Sequence, residues 1–229
     1  MTSASPGLQA TRSVRGPSLR CRTECIIDEV LASLPEPELL SADQRRGIIA
    51  RYAAVLEGNF IYWMTGAYLS VRTEEARSII LENLREEVRD CHPGMMRKFA
   101  IAAHAAPTHS DFRAVSPELT NIRLFVGRLS TVRLLLMMAF FESFIQRFMI
   151  FLAELGDRQG SIEQEYTQVH GVCDIAHTEG LFRALAAEMG CESLESEADQ
   201  FEGVNLLRAL IQTIVHPEAT QNSIDGLPI

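Results

Sequence analysis

Apolar side chains recur at every third or fourth position along most of the chain, which is the spacing of one buried face of an α-helix. The chain has no alternating run of β-branched residues joined by Asn-Gly or Asp-Gly turns, the usual sign of a β-hairpin. The pattern therefore predicts an all-α fold. The expected helices span residues 24–34, 42–70, 74–88, 94–105, 117–128, 130–155, 161–189 and 196–215.

Capping residues and helix breakers set the expected helix ends. Ser41 and Thr73 are expected as N-caps, because their hydroxyls can accept hydrogen bonds from free backbone N–H groups of a first turn. Pro117 is expected in the first turn of its helix, and Gly171 is expected to kink the helix at 161–189. The connections between helices are short, which predicts one domain over residues 23–216.

Both ends of the chain are expected to be tails. Residues 1–22 are rich in Ser, Pro, Gly and Arg and carry no acid, a composition typical of a disordered tail. The same composition is also found in organelle transit peptides, which is the alternative. Residues 217–229, beginning at Pro217, are expected to form a C-terminal tail.

Composition narrows the class of protein. The chain has 229 residues, 47% hydrophobic and 22% charged, with a net charge of −9. Nucleic acid is not expected as a partner, because binding phosphates requires clustered Lys and Arg. Five cysteines without a C-x-x-C pair fit neither a disulfide framework nor a zinc knuckle, so a reducing, cytoplasmic location is expected.

The most apolar segment, 134–155, is expected to be a buried helix of a globular protein. Glu142, Gln146, Arg147 and Glu154 interrupt it, and each would be costly in the hydrocarbon of a bilayer. The chain is therefore not expected to span a membrane.

The late segment of the chain carries three possible metal ligands on one helical face. His170, Asp174 and His177 stand at positions i, i+4 and i+7, so a helix directs all three side chains the same way. Imidazole and carboxylate together suit iron, manganese or zinc. The alternative is an ordinary solvated polar face.

Glu142 is a second candidate, because apolar residues surround it on nearly the whole circumference of its helix. A buried carboxylate is costly unless it is paired or binds a metal. An ion pair with an arginine of another helix is the alternative to a metal.

The segment 82–87 and the His92-Pro93 pair complete the set of candidates. Acids at 82, 86 and 87 are common on a solvated face, and His92 before Pro93 is also a typical helix start. Added to the others, they supply a further Glu and a further His. Six protein ligands of this kind suit two metal ions that share a bridging carboxylate.

These residues resemble the heme-oxygenase-like diiron oxidases and oxygenases, which share a compact fold of about seven helices with TenA thiaminases and the pyrroloquinoline-quinone synthesis protein C. Three blocks carry the resemblance, in the family's order. They are the segment 76–87 with His92 and Phe99-Ala100, the central Ala139-Phe140-Phe141-Glu142-Ser143, and His170-x-x-x-Asp174-x-x-His177.

The resemblance implies that two Fe(II) ions are bound and that dioxygen is a co-substrate. The implied ligands are Glu87, His92, Glu142, His170, Asp174 and His177, with Glu142 as the bridge. Val88-Arg89-Asp90-Cys91 replaces the glycine that usually follows the Glu-Glu pair, so Glu82 or Glu86 is an alternative to Glu87. The family acts on small amino-acid or fatty-acid substrates in specialised biosynthesis. An amino acid or a molecule derived from one is expected here, together with a homodimer and an external reductant.

Two further groups of residues are assigned expected roles at this site. Aromatic side chains are expected to form a dry pocket wall: Phe140, Phe141, Phe144, Phe60, Tyr62 and Trp63. An arginine is expected to neutralise the substrate's carboxylate, with Arg51, Arg123, Arg133 and Arg147 as the candidates. The alternatives to a diiron enzyme are a metal-free hydrolase or cofactor-only oxidase of the same fold, and a non-catalytic helical interaction protein with its acids and histidines on the surface.

Overall fold

A computed structural model describes residues 18–191 and 196–217, and these residues form a bundle of nine α-helices. A short 3-10 turn, Pro37–Leu39, lies between the first two helices. The helices are α1 Leu19–Ala32, α2 Ala42–Ser70, α3 Glu74–Arg89, α4 His92–Ala102, α5 His109–Val126, α6 Thr131–Arg158, α7 Glu165–Met189, α8 Glu197–Gln200 and α9 Glu202–Val215.

The all-α prediction is confirmed, since the described residues contain helices and no strand. Each of the eight expected helices is present. The last one, expected over 196–215, is divided into the single-turn α8 and the longer α9. Helix α1 begins at Leu19, inside the segment expected to be a disordered tail, with Ser18 as its N-cap. The rest of that tail, residues 1–17, and residues 218–229 of the C-terminal tail lie outside the described residues.

Helix α6 is the centre of the bundle. It packs most extensively against α7, and also against α2, α9 and α1. By length and composition α6 could cross a membrane, but 78% of its most apolar window is buried inside the protein. Burial on nearly all sides by other helices explains why its sequence is apolar around the whole circumference.

Helix α2 is broken near its middle, at Glu57 and Gly58. Gly58 has φ +81°, which is the left-handed region that favours glycine, and Glu57 has a non-helical ψ of 87°. The buried Asn59 side chain donates a 2.8 Å hydrogen bond to the carbonyl oxygen of Val55, which satisfies one acceptor beside the break. The kink expected at Gly171 is wrong, because α7 is helical throughout, and the kink lies in α2 instead.

Helix α5 begins at His109, well before the expected start at 117, so the prediction for Pro117 is wrong. The carboxylate of Asp111 accepts hydrogen bonds from the backbone N–H and the hydroxyl of Thr108, which fixes the earlier start. Pro117 lies inside the helix. Proline has no backbone N–H, so the carbonyl of Arg113 lacks its usual helical hydrogen bond. Both residues are exposed, so that carbonyl can face water instead.

The connection between α2 and α3 is fastened to the far end of α7. Oε1 of the buried Glu188 accepts hydrogen bonds from the backbone N–H of Arg72 at 3.0 Å and from that of Thr73 at 2.7 Å. It also accepts one from the Thr73 hydroxyl at 2.7 Å. Thr73 is the N-cap of α3, as predicted, so the start of α3 and the end of α7 are held together.

Two glycine substitutions are expected to change stability in opposite directions. A Cβ added at Gly58 or at Gly171 meets no heavy atom within 4 Å, so neither substitution clashes. Gly58→Ala should lower the free energy of unfolding by about 1–2 kcal/mol, because alanine is disfavoured at positive φ. Gly171→Ala should raise it by about 0.5–1 kcal/mol, because it removes a glycine from a helix interior.

Denaturant unfolding followed by far-UV circular dichroism measures both changes. A stabilising Gly58→Ala substitution would show that α2 is not broken at this position. A destabilising Gly171→Ala substitution would contradict an unbroken α7.

Candidate metal centre

The structure places all six predicted ligand residues in the interior, at the meeting point of α3, α4, α6 and α7. Their exposed fractions range from 0% for Asp174 to 5% for His170. The full set is Glu87, His92, Glu142, His170, Asp174 and His177. The alternative in which these acids and histidines lie on the protein surface is therefore wrong.

Glu87, His92 and His170 form the first group, and each offers a ligand atom within 4.8 Å of the others. The carboxylate Oε1 of Glu87 accepts a 2.8 Å hydrogen bond from Nδ1 of His92. The ring centroids of His92 and His170 lie 4.5 Å apart. Cys91, which separates α3 from α4, has φ 57°, a conformation that costs a non-glycine residue about 1 kcal/mol. With Asp90, this left-handed residue forms the short turn that leads from the end of α3 to His92.

Asp174 and His177, one turn apart on α7, form the second group. Oδ1 of Asp174 lies 3.8 Å from Nδ1 of His177 and accepts a 3.2 Å hydrogen bond from the thiol of Cys173. The thiol is a third possible ligand atom of this group. Helix α3 approaches α7 closely here, because a Cβ on Gly180 would lie only 3.0 Å from Cγ2 of Ile79.

Glu142 of α6 connects the two groups. Its Oε2 lies 3.7 Å from Nδ1 of His177, in the second group. Glu142 also lines a cavity of about 20 Å³ together with all three residues of the first group. A carboxylate between two groups of ligands is the arrangement expected of a bridging residue.

The cluster fits a positively charged metal. Three of its buried polar atoms have no hydrogen-bond partner among the residues that the structure describes: Oε1 of Glu142, Oδ2 of Asp174 and Nδ1 of His177. Leaving such an atom unsatisfied costs on the order of 1–3 kcal/mol, so several together in one place need an explanation. A cation that accepts electron pairs from all three provides one.

Burial and mutual charge shift the pKa values of the cluster in different directions. Burial raises the pKa of Glu142, and burial together with the charge of Glu142 raises that of Asp174 well above its ordinary value. Burial lowers the pKa of His170 to about 4. Burial also disfavours the charged form of His177, but the carboxylates of Glu142, Glu86 and Asp174 outweigh it and raise the pKa of His177 to about 10.

Hydrogen bonds outside the cluster fix the ring orientation of two histidines. The backbone carbonyl of Tyr166 lies 2.9 Å from Nδ1 of His170, so Nδ1 carries the proton and Nε2 is free to bind a metal. Oε2 of Glu86 lies 2.9 Å from Nε2 of His177, so Nδ1 of His177 faces Glu142 and Asp174 as the available nitrogen. Sequence reasoning did not assign this role to Glu86, because the contact joins residues far apart in the chain.

Glu87 occupies the position beside His92, whereas the alternatives Glu82 and Glu86 lie elsewhere. Glu82 is exposed to solvent. Glu86 is half-buried and contacts His177 from outside the cluster. The two neighbouring acids of α3 therefore reach different histidines.

The cavity wall differs from the expected aromatic one. Of the six aromatic residues expected there, Phe60 lines the cavity, while Tyr62 is 43% exposed. The remaining four are buried among other core side chains. Besides the ligand residues, the lining consists of Leu56, Phe60, Pro93, Met96, Ile145 and Tyr166.

Tyr166 is held by a second tyrosine that sequence reasoning also missed. The hydroxyls of Tyr166 and Tyr52 lie 2.9 Å apart in the core. The Tyr166 ring packs on the His170 ring, with centroids 4.2 Å apart. Burial raises the pKa of both tyrosines, so they are neutral phenols that hold the His170 side of the cavity.

The arginines proposed as carboxylate anchors do not line this cavity, so that prediction is wrong. Each has another partner within the described residues. Arg51 donates to the carbonyl of Ile214, Arg123 to Asn59, Arg133 to Glu202 and Arg147 to Asp28.

Comparison with known proteins identifies the family to which the chain belongs. The family model described as an iron-containing redox enzyme matches residues 49–210, which include all six residues of the cluster. No curated protein and no solved structure matches the chain. The match covers most of the sequence and confirms the heme-oxygenase-like resemblance, and on this evidence the chain belongs to the family of iron-containing redox enzymes.

Proposed function

We propose that the protein is a dioxygen-dependent oxidase or oxygenase that holds two iron(II) ions in the buried cluster and oxidises a small amino acid or a molecule derived from one. The observation that carries the proposal is the set of six buried ligand residues, three of which have a polar atom without a hydrogen-bond partner among the described residues. The iron-containing redox family supplies independent support for the metal.

The proposed ligands divide between the two ions according to the two groups. Glu87, His92 and His170 would hold one ion, and Asp174 and His177 the other. Glu142 would contribute to both, since it lies beside each group. Bound iron would supply the electrons and the open coordination positions that turn dioxygen into an oxidant.

The surrounding residues have roles that the chain itself performs. Glu86 and the carbonyl of Tyr166 each accept an imidazole N–H, which orients His177 and His170 and directs the other nitrogen of each ring toward the cluster. Leu56, Met96 and Ile145 cover the cavity and exclude bulk water from it. A dry site of this kind limits the loss of reactive species to solvent.

A metal-free enzyme that uses Cys173 as a nucleophile is less well supported. Burial raises the pKa of the Cys173 thiol, and the thiol donates a hydrogen bond to Asp174. A nucleophilic cysteine requires the opposite shift, toward the thiolate.

We propose that the reaction also needs an external reductant, because the substrate supplies only part of the electrons that oxygenation consumes. Homodimeric assembly and a cytoplasmic location remain proposals that rest on the family resemblance and on the composition.

Iron loading tests the ligand assignment. Anaerobic loading of the wild-type protein should give about two iron ions per chain, measured by metal analysis after desalting. Glu142→Ala should reduce the content to below about one, because it removes the shared ligand, and Asp174→Asn should reduce it to about one. Cys173→Ser is the matched control, since it changes the neighbour of Asp174 and should keep about two.

The diiron assignment fails if the wild-type protein binds less than about one iron and Glu142→Ala leaves that content unchanged. Circular dichroism of each variant separates loss of metal from loss of fold. If Cys173→Ser alone loses metal, the thiol belongs to the second group of ligands.

Metal binding is expected to release protons. Because the pKa of His177 is raised to about 10, the metal-free cluster holds at least one proton at neutral pH, and a metal must displace it. Burial raises the pKa values of Glu142 and Asp174 in the same direction. Calorimetric titration with Mn(II) in two buffers of different ionisation enthalpy should show release of at least about one proton per chain near pH 7. Affinity should rise with pH up to the His177 pKa of about 10. An affinity independent of pH between about 6 and 8 would contradict the protonated cluster.

Oxygen consumption with substrate panels tests the reaction class. The iron-loaded protein should consume oxygen faster with amino acids than in their absence, and Glu142→Ala should remove the stimulation. Oxygen electrode traces and mass spectrometry of the products measure this. Turnover of fatty acids alone would overturn the choice of substrate class while leaving the iron chemistry in place.

A further inference from the structure

Two small cavities lie end to end between α2 and α4. The inner one, of about 20 Å³, contains the ligand residues of the first group. The outer one, of about 40 Å³, is lined by Ala53, Leu56, Glu57, Pro93, Met96, Arg97 and Pro107. Leu56, Pro93 and Met96 line both, so these three side chains are the partition between them.

Residues of α2 and α4 connect the two cavities. On α2, Leu56 and Phe60 line the inner cavity from either side of the break, while Ala53 and Glu57, which precede Gly58, line the outer one. On α4, Pro93 and Arg97 are one turn apart and lead from the inner cavity to the outer one. The facing stripes of the two helices therefore run from the protein surface to the metal cluster.

An ion pair stands at the outer end of this passage. Nη2 of Arg97 lies 2.5 Å from Oε1 of Glu57, and these are the charged residues in a lining that is otherwise apolar. The two side chains are 67% and 47% exposed, so solvent screens the attraction and little is lost when the pair separates. A ligand that carries both charges can replace each partner with its own opposite group.

The wall of the passage on the α2 side is the part of that helix that is already broken. Glu57 and Gly58 have non-helical backbone angles, and no heavy atom lies within 4 Å of the position of a Cβ on Gly58. A segment with few packing contacts can move at lower cost than the packed helix on either side of it. Such movement would widen a passage whose two cavities are too small for an amino acid in their present shape.

We propose that this passage is the substrate-binding channel of the enzyme and that Arg97 and Glu57 select a zwitterionic α-amino acid. Arg97 binds the α-carboxylate, Glu57 binds the α-ammonium, and the side chain extends between α2 and α4 toward His92 and Glu142. The inference rests on the proposed function, because it assigns the substrate of the same site.

The position of the ion pair also limits the length of the substrate. Arg97 and His92 are five residues apart on α4, a rise of about 7.5 Å along the helix axis. An unbranched side chain of about four to six carbons spans that length. A fatty acid of equal length satisfies Arg97 but brings its carboxylate beside that of Glu57, and an alkylamine brings its charge beside Arg97. The pair therefore rejects ligands with one charge by repulsion as well as by a missing contact.

Binding of three matched probes to the anaerobic, iron-loaded protein tests the channel. L-norleucine carries both charges, hexanoate is the same chain without the ammonium, and pentylamine is the same chain without the carboxylate. Calorimetry should show that the wild-type protein binds L-norleucine at least about tenfold more tightly than either analogue. Arg97→Gln and Glu57→Gln should each weaken L-norleucine binding by about tenfold or more.

Conservative and distant variants distinguish recognition from a general effect on charge or folding. Arg97→Lys should recover most of the L-norleucine affinity, and Glu57→Gln should tighten hexanoate binding because it removes the repelling carboxylate. Arg158→Gln is the control, since Arg158 also pairs with a carboxylate of a separate element, Glu38, and lies outside the passage. It should leave all three affinities unchanged.

The channel is overturned if the wild-type protein does not bind L-norleucine, if it binds hexanoate equally tightly, or if Arg97→Gln and Glu57→Gln keep the wild-type affinity. In each case the proposed function still stands if the iron content and the oxygen consumption persist. Conversely, a protein that holds no iron contradicts the proposed function, while the differences in probe affinity still report on the channel.

Discussion

The cost of burying acidic groups in an apolar core is the constraint on which this structure depends. Glu142 stands on α6, which packs against α7, α2, α9 and α1, and the residue is 1% exposed. Asp174 is fully buried beside it. Burial raises the pKa of both groups, which means that the folded chain alone stabilises their charged forms poorly. A bound cation would reverse that balance, so the same core that makes the cluster costly without a metal would make it a strong site with one.

The packing of the bundle brings residues of four helices, α3, α4, α6 and α7, together at this cluster. Helix α7 supplies three candidate ligand residues from one face, and it packs closely against α3 at Gly180. The left-handed backbone of Cys91 then places His92 beside Glu87 without a longer loop. Neighbouring acids of α3 have different functions, because Glu87 faces the cavity while Glu86 supports His177 from outside.

The helices and the cluster could be predicted from the sequence because both depend on the local spacing of residues. Helical periodicity indicated the eight main segments, and the i, i+4, i+7 spacing on α7 indicated three candidate ligands that the structure places together in the interior. The early start of α5 and the break at Gly58 were missed, since a side-chain cap and a backbone angle decide them. The cavity wall and the role of Glu86 were missed for a different reason. They depend on how helices distant in sequence pack together, which periodicity does not encode.

The fastening of the α2–α3 connection by Glu188 has a consequence for the precision of the cluster. Three hydrogen bonds to one carboxylate oxygen anchor the beginning of α3 to the last turn of α7. Helix α3 is thereby held at its N-cap by Glu188 and in its last turn by the contact of Glu86 with His177. A rod fixed at two points cannot slide or roll along its neighbour, so the spacing between Glu87 and His170 is set by the scaffold itself. The chelating geometry would then be ready before any ion arrives, and little ordering would remain to be done on binding.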